Sequence, residues 1–278
     1  MTLVIEGSEN YLVKVFNNIK IRSFGWRKRL FRIFRPSETS LPVFIIGSGR
    51  SGTDIVTFTL NNSLFVQVYN EFHDDAFVNW RLKPLDHIAG LIHKSRAKVV
   101  AFKPIVETLR CRELVERFPD AKVLFAVRDY RDAVNSMVRF FGDRHIRAVK
   151  GWVKSDFKEH PAASERIRAF LRAHSEGTLS LEDASALYWL LYNDAYASLG
   201  LDNDQRVKLV SYEELVNNPR EVTKGLAEFL DIPWSSRMTE GIFSKSVGKS
   251  PSPNISPEIE KECQKVWAYL AKRIVSAK

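Results

Sequence analysis

The sequence predicts a three-layer α/β/α fold around a mostly parallel central sheet, and three observations support it. Short, wholly apolar runs alternate with segments of helical periodicity, the order that builds a parallel sheet covered by helices on both faces. The runs Val43–Ile46, Val99–Phe102 and Val123–Val127 show no polar alternation, as strands buried on both sides require. The first run enters Gly47-Ser48-Gly49-Arg50-Ser51-Gly52 directly, a turn that lets a strand reverse into a helix.

Taken along the chain, residues 1–40 form a basic arm, and Pro36-Ser37-Glu38-Thr39-Ser40-Leu41-Pro42 is a polar, proline-bounded linker. Val43–Ile46 is the first strand, followed by a helix over Ser51–Asn61. Phe65–Tyr69 and Val99–Phe102 are strands, Thr108–Phe118 a helix and Val123–Val127 a further strand. Arg131–Phe141 places Ala133, Val134, Met137, Val138 and Phe141 at helical spacing. Residues 142–178 are polar with a weak pattern and read as an insertion or lid. Leu181–Leu199 reads as an amphipathic helix, Val207–Val210 as a strand, and Pro219–Leu230 as a helix opened by proline. Gly248, Pro251, Pro253 and Pro257 mark a surface loop.

Composition narrows the function classes. Of 278 residues, 45% are hydrophobic, which excludes bulk disorder. Cys111 and Cys263 offer neither a disulfide framework nor zinc spacing, so no metal site and a reducing, cytoplasmic setting are expected. No run reaches the ~20 apolar residues of a membrane helix, and Met1–Glu6 lacks the basic n-region of a signal peptide. The net charge is +9, but residues 1–40 hold eight basic groups against three acids, leaving +4 for the other 238. That excess suits an anionic nucleotide better than long nucleic acid, which is not expected as a partner. His87, His93, His145, His160 and His174 show no ligand spacing and are expected on the surface.

The loop Gly47–Asp54 can cradle an anion through successive backbone N–H groups, the hydroxyls of Ser51 and Thr53, and the charge of Arg50. It lacks the lysine of GxxxxGK[ST], and the second apolar strand ends in Arg128 where an NTPase needs a metal-binding acid. Arg128 and Ser136, eight residues apart across a strand–turn–helix, can converge on one anion. Read alone, such a pair is more often structural than functional.

Together these segments resemble the sulfotransferase family that uses 3′-phosphoadenylyl sulfate (PAPS). Pro42–Asp54 is similar to its 5′-phosphosulfate loop, Lys122–Ser136 to its 3′-phosphate segment, and Leu209–Leu215 with Pro219 and Phe229–Pro233 to a mainly structural third motif. The resemblance spans about residues 42–235, with 41–278 as the catalytic domain. It implies a P-loop-like nucleotide site in which Gly49, Arg50, Ser51, Gly52, Thr53, Arg128 and Ser136 bind PAPS, with no metal. Lys249, in Ser246-Val247-Gly248-Lys249, is either a lid residue over the nucleotide or a solvated loop lysine. Asp54 and Tyr130 depart from the family pattern, and Asp54 is assigned no binding role.

Within Tyr69-Asn70-Glu71-Phe72-His73 the resemblance makes Glu71 the general base, with a helix cap as the alternative and His73 as the rival base. Lys103 or Arg50 stabilises charge on the leaving oxygen. A glutamate base favours a sugar or other alcohol as acceptor: a small molecule, a glycan or a lipid-linked species. The competing classes are a P-loop kinase and a non-catalytic nucleotide- or RNA-binding module. Residues 11–35 mix aromatic and basic groups and have two readings, a bilayer-surface contact or an extra helix packed on the domain.

Overall fold

The computed structural model describes residues 24–242 and 251–276. Five parallel strands form the central sheet: β1 (Leu41–Gly47), β2 (Val66–Tyr69), β5 (Val99–Phe102), β6 (Lys122–Val127) and β7 (Val207–Ser211), in the order β2-β5-β1-β6-β7. A two-stranded hairpin, β3 (Phe77–Val78) and β4 (Arg81–Leu82), lies outside the sheet. The wholly apolar runs do become strands buried on both faces. Val43 and Ile45 pack on one side with Val56 and Leu60, and Phe44 and Ile46 on the other with Phe125 and Tyr196. Because β1 is central and the chain moves first to one side and then to the other, ligand is expected beyond the carboxyl ends of β1 and β6.

The helices are α1 (24–34), α2 (Thr53–Asn61), α3 (Leu85–Lys94), α4 (Cys111–Arg117), α5 (Tyr130–Phe141), α6 (Arg144–Lys154), α7 (Glu165–His174), α8 (Leu181–Ser198), α9 (Tyr212–Asn217), α10 (Pro219–Phe229) and α11 (Pro257–Ser276). Helix α2 lies on one face of the sheet with α10, and α4, α5, α8 and α11 cover the other. The helix expected from Thr108 opens instead as a 3-10 turn, Ile105–Arg110, because Thr108 is diverted to tie down Gly47.

Three sequence expectations need correction. Leu181–Leu199 is not amphipathic. Residues Ala184–Leu187 and Trp189–Tyr196 are all buried, so α8 is sheathed on every side by α5, α6, α7 and α11. Residues 142–178, polar and weakly patterned, form α6 and α7, whose sparse apolar residues Val149, Trp152, Ile167 and Leu171 enter the core. His145 and His160 are not on the surface. His145 stacks on Tyr188 at 4.1 Å between ring centres, and His160 packs edge-on to Trp152 at 4.8 Å.

Burial holds both imidazoles at a pKa of about 4, against an ordinary 6.5, with the charge of Arg81 assisting at His160. The unfolded chain therefore binds more protons than the native state between these values. Stability is full above the higher value and is lost as pH falls toward the lower, by up to about 3 kcal/mol per histidine. Urea unfolding across this window should show the loss, and His160→Gln should flatten it. An unchanged slope in that variant would show that other groups carry the acid sensitivity.

Among the described residues no helix is long and apolar enough to cross a membrane, and no cluster of three or more His, Cys, Asp or Glu is placed to hold a metal ion. Helix α1 packs on the domain rather than standing apart. Lys28 Nζ donates to the Asn61 carbonyl at 2.7 Å, and Phe31 meets Phe65 edge-on at 4.9 Å. Residues 11–23 of the arm and Lys249 lie outside the described residues.

Candidate active site

The loop between β1 and α2 is fixed by two close approaches. Gly47, at φ 139°, leaves no room for a side chain, since a Cβ would sit 2.3 Å from the Ala126 carbonyl oxygen. Gly52, at φ 90°, is covered by Tyr212, whose Cδ2 would lie 2.7 Å from a Cβ. With Gly52 left-handed and no side-chain cap, the first-turn N–H groups of α2 remain available to an anion. Ser48 and Ser51 share a hydrogen bond, and Asn193 of α8 donates to Ser48 Oγ at 3.3 Å. Arg50 is a non-glycine residue at φ 64°, a conformation that costs roughly 1–2 kcal/mol. There its Nε donates to Ser136 Oγ at 3.1 Å, and its guanidinium lies 4.6 Å from the Phe140 ring centre.

The β6–α5 turn supplies the second wall. Arg128 directly follows β6, is buried, and lies 4.3 Å over the Tyr212 ring. Its carbonyl accepts from Trp189 Nε1 at 3.1 Å, and its guanidinium is 3.8 Å from Asp132. Glu213 joins the next strand end to this turn: it accepts from the Asp129 N–H at 3.0 Å and from Ser211 Oγ at 2.9 Å. Burial raises the pKa of that carboxyl. The result is an open cavity of about 460 Å³. Arg50, Gly52, Thr53, Arg128 and Ser136 all line it, along with Asp54, Arg139, Phe140 and Tyr212.

At the other side of the loop, three charged groups meet. Lys103 follows β5, and its backbone N–H donates to the Tyr69 carbonyl at 3.0 Å, which closes the β2–β5 pairing. Its side chain is 2% exposed, and Nζ is paired with Glu71 Oε2 at 2.8 Å and with Asp54. Glu71 is 7% exposed at its side chain, whereas Asp54 is 72% exposed. A buried ammonium is tolerable because two carboxylates flank it. The structure therefore brings together Glu71 and Lys103, from two adjacent strand ends. It ties His73 elsewhere: Nδ1 lies 3.0 Å from the Asn70 nitrogen and 2.7 Å from Asn70 Oδ1, on an exposed turn.

A family model, the sulfotransferase domain, matches residues 41–273. The chain belongs to the sulfotransferase family. A solved structure agrees on the fold, and others are similar over much of their length. The sulfotransferase domain from the curacin biosynthetic pathway is 15% identical with a TM-score of 0.56, covering 84% of this chain and 99% of that one. A sulfotransferase from Alicyclobacillus acidocaldarius is 16% identical with a TM-score of 0.49, covering 84% and 94%. A mouse sulfotransferase complexed with PAP is 12% identical with a TM-score of 0.47, covering 84% and 85%. No curated protein sequence matches. The protein is thus a sulfuryl-transferring enzyme.

Sequence reasoning missed several residues of this sulfotransferase site. Asp54 was given no role but pairs with Lys103. Tyr212 was read as part of a structural motif, yet it covers Gly52 and braces Arg128. Its position directly after β7, at the carboxyl edge of the sheet, was the available signal. The Pro251 carbonyl, two residues beyond Lys249 in the chain, accepts from Asn135 Nδ2 at 2.8 Å, one residue from Ser136.

Proposed function

We propose that the protein transfers the sulfuryl group of PAPS to an acceptor hydroxyl, that of a sugar or another alcohol, and releases 3′,5′-ADP. The observation that supports this reading best is the convergence of Arg50, Thr53, Arg128 and Ser136 on one cavity. The residues suit a doubly phosphorylated nucleotide. Arg50, Thr53 and the α2 amides would hold the 5′-phosphosulfate, with Ser51, buried and bonded to Ser48, shaping the loop behind them, and Arg128 with Ser136 would hold the 3′-phosphate. Arginine forks and helix N-termini both favour such oxyanions. PAPS, when bound, supplies an electrophilic sulfur and a phosphate leaving group.

Glu71 takes the acceptor proton as the acceptor oxygen bonds to sulfur and the bond from sulfur to the phosphate oxygen breaks. The electron pair passes to that phosphate oxygen, where Lys103 and Arg50 offset the developing charge. Before reaction Lys103 also holds the Glu71 carboxylate in place, through the 2.8 Å ion pair. Its second carboxylate, Asp54, is largely exposed and so can yield the ammonium to an incoming anion at little cost.

Arg128→Ala tests the donor. It should weaken 3′,5′-ADP by about ten- to a hundredfold, the loss of one charged hydrogen bond of roughly 1.5–3 kcal/mol. Binding of 5′-AMP, which lacks the 3′-phosphate, should change little and serves as the check on folding. Calorimetry that found both nucleotides equally weakened would remove Arg128 from the 3′-phosphate site.

A further inference from the structure

Helix α1 has two unlike faces. Its inner face is anchored: Phe24 is buried under the Arg237 guanidinium at 4.2 Å, and Arg32 donates to the Val66 carbonyl at 2.6 Å. Its outer face presents Trp26, Leu30, Ile33 and Phe34, exposed by 64%, 48%, 47% and 78%. Four large apolar side chains on two turns of one helix form a contiguous patch of the kind that marks an interaction site.

Behind this face lies a cavity of about 530 Å³, between α1, the edge strand β2 and the end of α3. Arg29, Arg32, Lys94 and Arg96 line it, and among the described residues no acidic side chain does. Ile33 belongs to both the cavity wall and the exposed apolar face, so the two are continuous. Lys28 lies one turn from Arg32 on the inner face. Lys28 is bonded to the neutral Asn61, and burial together with the charge of Arg32 lowers its pKa to about 7. Arg32 Nε is buried without a hydrogen-bond partner among the described residues. Arg32 is half-buried and makes no ion pair among the described residues, so an anion entering the cavity would supply the counter-charge it lacks.

A free anion would satisfy the cavity but leave the four apolar side chains in water. An anionic bilayer satisfies both, because phosphate-bearing headgroups lie directly above an acyl boundary. We infer that this face docks on an anionic membrane surface, with Trp26, Leu30, Ile33 and Phe34 at the acyl boundary and Arg29, Arg32, Lys94 and Arg96 around a lipid phosphate. The geometry is independent of the sulfuryl-transfer reading, although β2 links the two: Tyr69 lines the cavity and Glu71 follows two residues later.

The test is flotation of the full chain with phosphatidylcholine vesicles, with and without phosphatidylserine, at low and high salt. The protein should float only with the phosphatidylserine vesicles and be released by salt. Two exposed double variants, W26S/F34S and R29Q/R96Q, should each lower partitioning by about tenfold or more with an unchanged melting temperature. Failure to float, equal flotation on neutral vesicles, or wild-type flotation by either variant would overturn the assignment. Calorimetry with inorganic phosphate and inositol hexakisphosphate separates the remaining source. Tight binding of either, abolished in R29Q/R96Q and without flotation of the wild type, would make this a site for a soluble anion and overturn bilayer docking.

Discussion

Glu71→Gln is expected to lower turnover by about 10²–10⁴-fold, the range a positioned general base contributes, while 3′,5′-ADP binds as in the wild type. The substitution keeps the size of the side chain and removes its charge and its capacity to accept the acceptor proton. Glu71 does not line the nucleotide cavity, so binding and chemistry should separate cleanly. Lys103 retains Asp54 as a partner, which limits the structural disturbance. Single-turnover kinetics with saturating PAPS would read the chemical step directly. If His73→Ala abolished turnover and Glu71→Gln did not, the base would be His73, despite its exposed position and its tether to Asn70.

This site was legible in the sequence wherever local chemistry and chain order coincide. β1, its glycine-rich turn and the start of α2 are contiguous, so the anion cradle could be read from Gly47 to Asp54. Arg128 and Ser136 are separated by one turn and part of one helix, a spacing whose geometry is nearly fixed. The central sheet was equally readable, because a strand buried on both faces must be apolar throughout. What the sequence hid depends on long-range packing. Asp54 and Lys103 are 49 residues apart, and nothing in either neighbourhood specifies that their side chains meet. Helices α6 and α7 escaped because their core contact rests on few apolar residues among many arginines and histidines. His145 and His160 looked solvated since imidazole polarity says nothing about the aromatic cluster of Trp152, Tyr188 and Tyr192 that surrounds them. Helix α8 looked amphipathic because its polar residues Asn193 and Asp194 are buried to serve particular partners, Ser48 inside the fold and Arg166 reaching in from the surface.

Lys103→Met should reduce both activity and stability, for separable reasons. Methionine retains the length and apolar stem of lysine without the ammonium. Loss of a preorganised charge aimed at a leaving oxygen lowers turnover by about 10²–10³-fold, judged from the removal of comparable donors. Stability should also fall, by about 3–5 kcal/mol, because Glu71 would be left as a buried carboxylate without its counter-charge. Asp54 adds little to this loss, since it is mostly in water already. The double variant Lys103→Met, Glu71→Gln distinguishes the two effects. It removes the stranded charge, so urea unfolding should recover most of the lost stability, while turnover stays at or below that of Lys103→Met. A double variant as unstable as the single one would mean that the Lys103 stem, rather than its pairing with Glu71, holds the ends of β2 and β5 together. Recovery of turnover along with stability would remove both residues from the chemistry, since the double variant lacks the Glu71 carboxylate as well, and would leave Arg50 to meet the charge on the leaving oxygen.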